Sequence, residues 1–292
     1  MPVRKFLFYW WGFLSLTLLA TMYVAYCQLP PRQLEVYVLD IGQGDGTLIR
    51  TPYGRTIVID GGPDLSVLAQ LGRILPYLQR TIDLLILTHP DADHLTGALA
   101  ILQRYRVRYV LVTAVQDDSA LYEAWHKQLQ QRNIPVLLAG QVRAVSLGKN
   151  LQATILYPKQ SIAEKKFSQV NDSSIVTRFD FGTTALLFPG DATIFVERQL
   201  LEIPGELAAD VLQAGHHGSN TSSSQEFVQA VQPNLVVISA GKNNRYNHPS
   251  QLVLERFNRL GIPWLLTARN GTVRLTSDGR KISAYPSRFE NP

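Results

Sequence analysis

Residues 84–94 read LLILTHPDADH, an apolar run that ends in a dense group of histidines and aspartates. The apolar part has no polar alternation, which is typical of a strand buried on both faces. His89, Asp91, Asp93 and His94 follow within six residues. One interpretation is a polar helix start, with Asp93 as the N-cap and the acids near the helix dipole. That explains one aspartate, whereas a bound cation explains why all four groups are tolerated side by side.

More polar groups follow apolar strands farther along the chain. Asp191, His216, His217 and His248 each come after a predicted strand. Five of the six histidines therefore fall at strand ends. The sixth, His126, lies in a predicted helix, and we expect it to be structural or solvated. Since open α/β sites are built at the carboxyl ends of several strands, these side chains are predicted to meet in one site.

The predicted elements are β-hairpins followed by alternating strands and helices, and this order occurs twice. No repeat of solenoid length and no low-complexity segment interrupts it. Mixed sheets covered by helices indicate an α/β protein. Two such halves facing each other would form an α+β four-layer αββα sandwich, and residues 272–285 are predicted to be its final hairpin.

The composition excludes several other classes of protein. The chain has 292 residues, of which 46% are hydrophobic and 17% charged, so a large core is possible and global disorder is not expected. A single cysteine, Cys27, rules out a disulfide framework and a cysteine-based zinc site. A net charge of +5 is compatible with an anionic substrate without requiring one. Neither a G-x-S-x-G elbow nor a Walker loop is present.

The N-terminal region is the one compositional anomaly. Arg4 and Lys5 precede residues 6–27, which carry no charge and would form a helix of about 33 Å, enough to cross a bilayer core. A membrane anchor, a cleaved signal peptide and a buried core helix are the three interpretations. On the first two, the positive end stays inside and the rest is exported. We therefore divide the chain into an anchor or signal peptide (residues 1–28), a linker (29–33) and the domain with the polar cluster (34–292).

These motifs resemble those of a known superfamily. The HxDxDH pattern after a strand is similar to the HxHxDH motif of the metallo-β-lactamase superfamily, with Asp91 in place of the second histidine. One branch matches better, the C-terminal hydrolase domain of the DNA-uptake channel protein ComEC and its stand-alone relatives. The similar segments, in order over about residues 36–250, are LDIGQGDGTLI, VIDGG, LTHPDADH, NDSSIV, LLFPGD, HHGSNTSS and NNRYNHPS. A polytopic channel is absent from the sequence, so we expect the hydrolase part alone.

The resemblance implies an αββα sandwich, the metallo-β-lactamase fold, with one or two divalent metal ions at the edge between the sheets. It assigns His89 and Asp91 to a first metal, Asp93 and His94 to a second, and Asp191 to both. His216 is a further expected ligand. The roles of His217 and His248 stay open between metal ligand and contact to the leaving group of the substrate. A carboxylate at position 91 is a harder ligand than imidazole, which moves the preference toward Mn²⁺ or Mg²⁺ without excluding Zn²⁺. Zinc or manganese is the expected metal.

Other polar residues near these motifs have two interpretations each. Asp172 is a possible ligand and Asn171 and Ser173 possible phosphate contacts, or else the three form a turn before a strand. Asp40, Asp45 and Asp60 either orient ligand histidines from behind or simply belong to turns. Lys242, Asn244 and Tyr246 either bind substrate at the mouth of the site or form a solvated loop.

The resemblance and the chemistry together predict a metal-dependent phosphodiesterase, a nuclease that acts on DNA outside the cytoplasm by attack of a metal-bound hydroxide. Asp93 or Asp191 would orient the nucleophile, and His248 would protonate the leaving oxygen. The alternatives are hydrolysis of another ester or amide, and a non-catalytic, metal-stabilised module of an envelope or DNA-uptake assembly.

Overall fold

The computed structural model describes residues 2–202 and 205–288, with side chains from residue 8 onward. The last residues of the predicted domain, 289–292, lie outside this part. The strands are β1 Leu34–Val38, β2 Thr47–Arg50, β3 Thr56–Ile59, β4 Thr81–Ile86, β5 Arg106–Val112, β6 Val136–Leu138, β7 Ala144–Gly148, β8 Leu151–Tyr157, β9 Val176–Phe181, β10 Thr184–Phe188, β11 Val211–Gln213, β12 Leu235–Ile238, β13 Trp264–Leu266, β14 Val273–Ser277 and β15 Ile282–Pro286. The helices are α1 Pro2–Cys27, α2 Ser66–Ile74, α3 Ala92–Arg104, α4 Ala120–Gln131, α5 Ile194–Leu201, α6 Gln225–Val231, α7 Gln251–Arg259 and α8 Thr267–Asn270.

The strands form two mixed sheets. The first has eight strands in the order β15-β14-β1-β2-β3-β4-β5-β6, and the second has seven in the order β13-β12-β11-β10-β9-β8-β7. Strands β3 to β6 run parallel, as do β10 to β13, because a helix crosses over between each successive pair. The carboxyl ends of the parallel strands therefore lie at one edge of each sheet.

Three apolar layers hold the sheets and helices together. The central layer lies between the sheets, where residues such as Ile57 and Ile86 of the first sheet meet Phe179 and Leu186 of the second. The outer layers join the first sheet to α2, α3 and α4 and the second sheet to α5, α6 and α7. The fully buried β3 has apolar side chains on both faces, because its sheet is covered by helices on one side and by the second sheet on the other. The predicted α/β four-layer sandwich is thus confirmed.

The predicted division into two successive halves is wrong at two places. Strand β14 pairs with β1, with Leu34 opposite Ser277, so the final hairpin completes the first sheet. Strands β7 and β8 follow directly on the strands and helices of the first sheet in chain order, yet they form the edge of the second sheet. Alternation of apolar and polar residues shows which face of a strand is buried, but not which sheet it joins.

Helix α1 stands apart from these layers. Its segment Phe8–Cys27 is long and apolar enough to cross a membrane, and none of it is buried. The interpretation as a core helix is therefore wrong for residues 8–27. Cys27, at the end of α1, is exposed and has a free thiol.

Candidate metal centre

A close contact between two glycines positions the start of α3. A Cβ atom on Gly61 would lie 1.9 Å from the backbone nitrogen of Ala98, and one on Gly97 would lie 1.8 Å from the carbonyl oxygen of Gly61. The Gly61 N–H donates to the carbonyl of His94 at 2.8 Å, and the Gly97 N–H donates to the carbonyl of Gly62 at 3.0 Å. Only glycines allow the turn after β3 to approach α3 this closely. The turn thereby fixes the first turn of α3, which carries Asp93 and His94.

The N-cap of α3 is Asp91, without a side-chain capping bond, and Asp93 lies in the first helical turn. The interpretation of Asp93 as the N-cap is therefore wrong. Both carboxylates remain available for another role, because neither is used by the helix end.

The buried carboxylate of Asp60 orients two histidines. Its Oδ2 accepts hydrogen bonds from the Thr88 hydroxyl at 2.7 Å and from Nδ1 of His94 at 2.9 Å. The Thr88 oxygen in turn accepts from Nδ1 of His89 at 3.1 Å. Since Thr88 donates its only hydroxyl hydrogen to Asp60, His89 must donate through Nδ1. Both imidazoles therefore turn their Nε2 atoms away from Asp60.

A strained turn after β11 carries the next two histidines. His216 has φ 48° and His217 has φ 55°, both in the left-handed region, and they lie between Gly215 and Gly218. Such conformations cost on the order of 1–3 kcal/mol each and are found mainly at functional sites. The following loop is held by Glu197, a buried carboxylate that accepts from the N–H groups of Ser223 and Ser224.

His217, which follows β11 of the second sheet, is oriented through its Nδ1 atom in the same way as His94. Its Nδ1 lies 3.2 Å from both Oδ1 of Asp45 and the carbonyl oxygen of Ser239. A carbonyl only accepts, so Nδ1 carries the hydrogen. The Nε2 atom of His217 then lies 3.3 Å from Oδ2 of Asp93 and 3.4 Å from Oδ2 of Asp191.

Asp191 lies at the centre of the cluster. Its Oδ1 is 3.3 Å from Nε2 of His94, and its Oδ2 is 3.6 Å from Nε2 of His216. The backbone N–H of Asp191 donates to the Ser174 hydroxyl at 3.2 Å, which fixes the turn after β10. One carboxylate thus faces histidines from both sheets, as the resemblance implies for a residue shared by two metal ions.

Several buried atoms in this cluster have no hydrogen-bond partner of ordinary geometry: Nε2 of His89, Nε2 of His94, Nε2 of His217 and Oδ1 of Asp191. Possible ligand atoms of His89, His94 and Asp191 lie within 4.8 Å of one another, and those of Asp93, His94 and His217 form a second group of that size. Unpaired buried polar groups are costly, and imidazole nitrogens with carboxylate oxygens are the donor set of zinc and manganese. These residues fit a site for divalent metal ions.

The charges of the cluster shift several pKa values. Burial lowers the pKa of His94, but the carboxylates of Asp191 and Asp60 outweigh it and raise that pKa well above the ordinary value. Burial also lowers the pKa of His217, but the carboxylates of Asp191 and Asp45 outweigh it and raise that pKa well above the ordinary value. Burial raises the pKa of Asp93, whereas its contact with His217 and the charge of His94 bring it down to about 2. Protons on the histidines take the place of a cation in balancing these carboxylates.

Two predicted ligands lie at the rim of the cluster. Asp91 is partly exposed, with Oδ2 at 3.4 Å from Nε2 of His89. His216 is also more exposed than His217, and its Nδ1 lies 2.9 Å from the Thr221 hydroxyl. Burial and the neighbouring histidines lower the pKa of His216 despite the charge of Asp191. The amide of Asn171 lies 3.3 Å from Nε2 of His216.

Three predicted site residues are bound elsewhere, which corrects their expected roles. Asp172 accepts a hydrogen bond from the Thr193 hydroxyl, so it is not a ligand in this arrangement. Ser173 donates to the carbonyl of Val170 at 2.6 Å within a 3-10 turn. Asp40 pairs with Arg288 at 2.6 Å and touches no ligand histidine, unlike Asp45 and Asp60.

The loop after β12 borders the cluster. Asn244 holds it by binding both the N–H and the carbonyl of His248, at 2.9 Å and 2.5 Å. The ring of His248 lies 5.4 Å from that of His216 and stacks on Tyr246 at 5.7 Å. Lys242 and His248 line a cavity of about 440 Å³. Burial and the charges of His216 and His217 lower the pKa of His248 to about 4, which disagrees with its expected role as a proton donor near neutral pH.

Four residues of the site were not expected from the sequence: Thr88, Gly97, Glu197 and Ser239. Thr88 adjoins His89, and Gly97 lies three residues after His94. Their closeness in sequence to the expected ligands could therefore have identified them. Glu197 and Ser239 act through contacts made only in the folded chain, because each binds a loop from a distant part of the sequence.

Comparisons with known proteins identify the superfamily of the domain. Residues 39–153 match the sequence model of the Metallo-beta-lactamase superfamily. The chain is 33% identical over 276 residues to ComE operon protein 3 of Bacillus subtilis (strain 168), and this match covers 86% of the chain and 34% of that protein. It is also 33% identical over 251 residues to Competence protein ComA of Neisseria gonorrhoeae, over 84% of the chain and 33% of that protein. The chain spans about one third of the length of these relatives.

A solved structure shows the same fold. The structure of Igni18, described as a novel metallo hydrolase from the hyperthermophilic archaeon Ignicoccus hospitalis KIN4/I, aligns with a TM-score of 0.53 at 16% identity, over 82% of this chain and 98% of that one. With two mixed sheets flanked by helices, a match to the superfamily model over residues 39–153 and a competence protein among its relatives, the chain carries a metallo-β-lactamase domain.

Proposed function

We propose that this protein is a metal-dependent phosphodiesterase that cleaves DNA outside the cytoplasm and is held to a membrane by α1. The observation that carries the proposal is the convergence of unpaired Nε2 atoms of His89, His94 and His217 on Asp191. Hydrolases of phosphate esters use such histidine and carboxylate clusters to hold metal ions. We expect one or two divalent ions, zinc or manganese, with Asp91 and His216 completing the ligand set from the rim.

The residues of the cluster have different tasks in this proposal. Bound divalent ions supply a water of lowered pKa and neutralise charge on a phosphoryl oxygen. Asp93 is ionised near neutral pH and its side chain is 30% exposed, so it faces both the cluster and the solvent. It can therefore accept a hydrogen bond from a water and orient it. His248 is neutral near pH 7, so it contacts the phosphate or the leaving oxygen as a neutral hydrogen-bonding group.

The proposed substrate follows from the relatives and from the loop after β12. One relative is named Competence protein ComA, and another is Recombination protein 2 of Haemophilus influenzae, 31% identical over 273 residues. Lys242 lies in the same cavity as His248 and would contact a phosphate of the DNA backbone. Tyr246, stacked on His248, adds an aromatic side chain at the rim.

The proposed location depends on α1. The segment Phe8–Cys27 has the length and apolar character that a membrane anchor requires, and none of it is buried in the fold. The sequence places Arg4 and Lys5 at its N-terminal end, which favours an orientation with the domain outside the cytoplasm. If the segment were cleaved as a signal peptide, the domain would be secreted or periplasmic.

The test is metal content together with cleavage by the full chain in detergent. We expect bound divalent metal by elemental analysis, and metal-dependent cleavage of single- or double-stranded DNA. Asp93→Asn should abolish cleavage. The matched control is Asp118→Asn, a surface carboxylate that pairs with Lys166. Metal that binds without cleavage of DNA, RNA or a chromogenic phosphodiester would refute the proposal and favour a metal-stabilised, non-catalytic module.

A further inference from the structure

An arginine-rich groove lies at the end of the first sheet opposite the metal cluster. We call this end the base, where β3, β4 and β5 begin. A cavity of about 700 Å³ there is lined by residues 104–109 and 132–135, and none of these is acidic. The arginines in this lining, called the arginine groove below, are Arg104, Arg106, Arg108 and Arg132.

The arginine groove carries more positive charge than its neighbours balance. Arg108 pairs with Asp83 at 3.0 Å, but Asp83 also pairs with Arg55 at 3.1 Å. Arg132 donates to the carbonyl of Gln103 at 2.9 Å, which is a neutral group. Within residues 2–202 and 205–288, Arg104 and Arg106 form no ion pair with a carboxylate. The base therefore has uncompensated positive charge.

Exposed apolar side chains lie beside this charge. Tyr77 is 81% exposed and Leu78 is 59% exposed, both in the loop between α2 and β4. Arg80, in the same loop, lies over the Tyr77 ring at 5.6 Å, and its carbonyl accepts the N–H of Arg106 at 2.8 Å. An aromatic and an aliphatic side chain next to arginines is the composition that favours the interface between a membrane and water.

The same loop adjoins the end of α1. Gln28 and Pro30, which follow α1, line one small cleft together with Pro76 and Gln79. The point at which the chain leaves α1 is therefore next to Tyr77 and Leu78. If α1 spans a bilayer, this loop and the arginine groove come to lie at the membrane surface.

We propose that the base of the domain rests on the anionic phospholipid headgroups of the membrane that α1 enters. This proposal relies on the membrane anchoring proposed above. The loop at residues 76–80 would enter the interface, and the arginine groove would bind headgroup phosphates. Strand β4 has six residues and spans about 20 Å. The metal cluster lies beyond its far end, so it would face away from the bilayer and stay open to a substrate in solution.

The structure favours lipid over nucleic acid as the occupant of the arginine groove for two reasons. The groove continues into the exposed side chains of Tyr77 and Leu78 and into the end of α1. Binding of a nucleic acid does not require apolar side chains or an apolar helix beside the groove. The groove also lies at the opposite end of β4 from His89, so a strand bound there would not lead directly into the metal cluster.

The experiment measures the distance of two matched positions from the membrane. The full chain with Cys27→Ser receives a single cysteine at Leu78→Cys or at Leu252→Cys, which are 59% and 60% exposed. Leu252 lies at the start of α7, near the metal cluster. Each variant is labelled with a fluorophore and placed in nanodiscs of phosphatidylcholine, with or without phosphatidylglycerol, that contain a headgroup-depth quencher.

We expect strong quenching at position 78 and little at position 252, with more quenching at 78 when phosphatidylglycerol is present. Each arginine near an anionic membrane surface raises the affinity for that surface roughly fivefold. The combined variant Arg80→Gln, Arg104→Gln and Arg106→Gln should therefore lower the quenching to the level in phosphatidylcholine. DNA cleavage by this variant should be unchanged, so a failure of the proposed nuclease activity would be seen separately.

Equal quenching at both positions, or none at position 78, would overturn the proposal, as would a chain that does not stay with the nanodiscs. Single-stranded DNA offers a further check in phosphatidylcholine nanodiscs. DNA binding that is lost in the arginine variant would assign the groove to nucleic acid and overturn the lipid assignment.

Discussion

Oδ2 of Asp60 lies 2.9 Å from Nδ1 of His94 and 2.7 Å from the Thr88 hydroxyl, which itself binds His89. One carboxylate thereby sets the orientation of two histidines from behind. Removing such a partner typically weakens metal affinity by about 10–100-fold. Asp60→Asn should show this loss in a competition titration with a chelator. Asparagine tolerates the left-handed backbone at this position, φ 56°, so the fold should persist.

The control for that variant is Asp40→Asn, because Asp40 pairs with Arg288 and touches no histidine of the cluster. Its metal affinity should equal that of the unmodified chain. Equal affinities in both variants would show that Asp60 does not position His94.

Metal uptake should release protons. The pKa values of His94 and His217 are raised by neighbouring carboxylates, so both imidazoles hold protons near neutral pH in the metal-free chain. A metal ligand must be neutral, and each histidine therefore loses a proton on binding. Apparent affinity should rise with pH and level off once the raised pKa values are passed. A pH indicator in weak buffer measures the release, and an affinity independent of pH would contradict the assignment.

His217 should matter more to metal binding than its neighbour His216. His217 is buried, with Nε2 close to both Asp93 and Asp191, whereas the side chain of His216 is 22% exposed and lies 3.6 Å from Asp191. His217→Gln should lower metal affinity by more than about 100-fold, beyond the usual effect of an outer partner. His216→Gln should lower it less. Elemental analysis after dialysis gives the comparison, and the reverse order would reject it.

Gly97→Ala should destabilise the fold. The new Cβ would meet the carbonyl oxygen of Gly61 at 1.8 Å, and backbone atoms cannot move as a flexible side chain can. Overpacking of this kind costs about 1–3 kcal/mol or more in the free energy of unfolding. Gly72→Ala is the matched control, since nothing lies within 4 Å of its Cβ position in α2.

That control should be stabilising by about 0.5–1 kcal/mol, because alanine is the better helix former. Denaturant unfolding of both variants gives the comparison. Similar stabilities would mean that the turn after β3 and the helix α3 can separate without cost.

The pH–rate profile should show no loss of activity from His248 as pH rises through neutrality. Its pKa is lowered to about 4, so it is already neutral above that pH and has no proton to lose there. A charged general acid would instead give a rate that falls as pH rises. A falling limb that disappears in His248→Gln would restore the role of proton donor.

Much of the fold and of the metal cluster was predictable because the polar side chains of the site directly follow apolar strands in the sequence. The order of strands and helices, the meeting of His89, His94 and Asp191, and the four layers all follow from local patterns. Asp40 and Asp60 show the limit: both are aspartates at the end of a strand, yet only Asp60 faces the ligands. The difference depends on Arg288 and His94, which are distant in sequence from Asp40 and Asp60 respectively. The sheet joined by β14 is equally non-local, because it depends on a partner more than 200 residues away.

The position of β1 between β2 and β14 also has a consequence during synthesis of the chain. Ribosomes deliver the chain from its N-terminus, so β1 is complete while its second neighbour, ending at Ser277, has yet to be made. One side of β1 then has an open row of backbone donors and acceptors through nearly all of translation. Until β14 is made, that edge of β1 can pair with another extended chain.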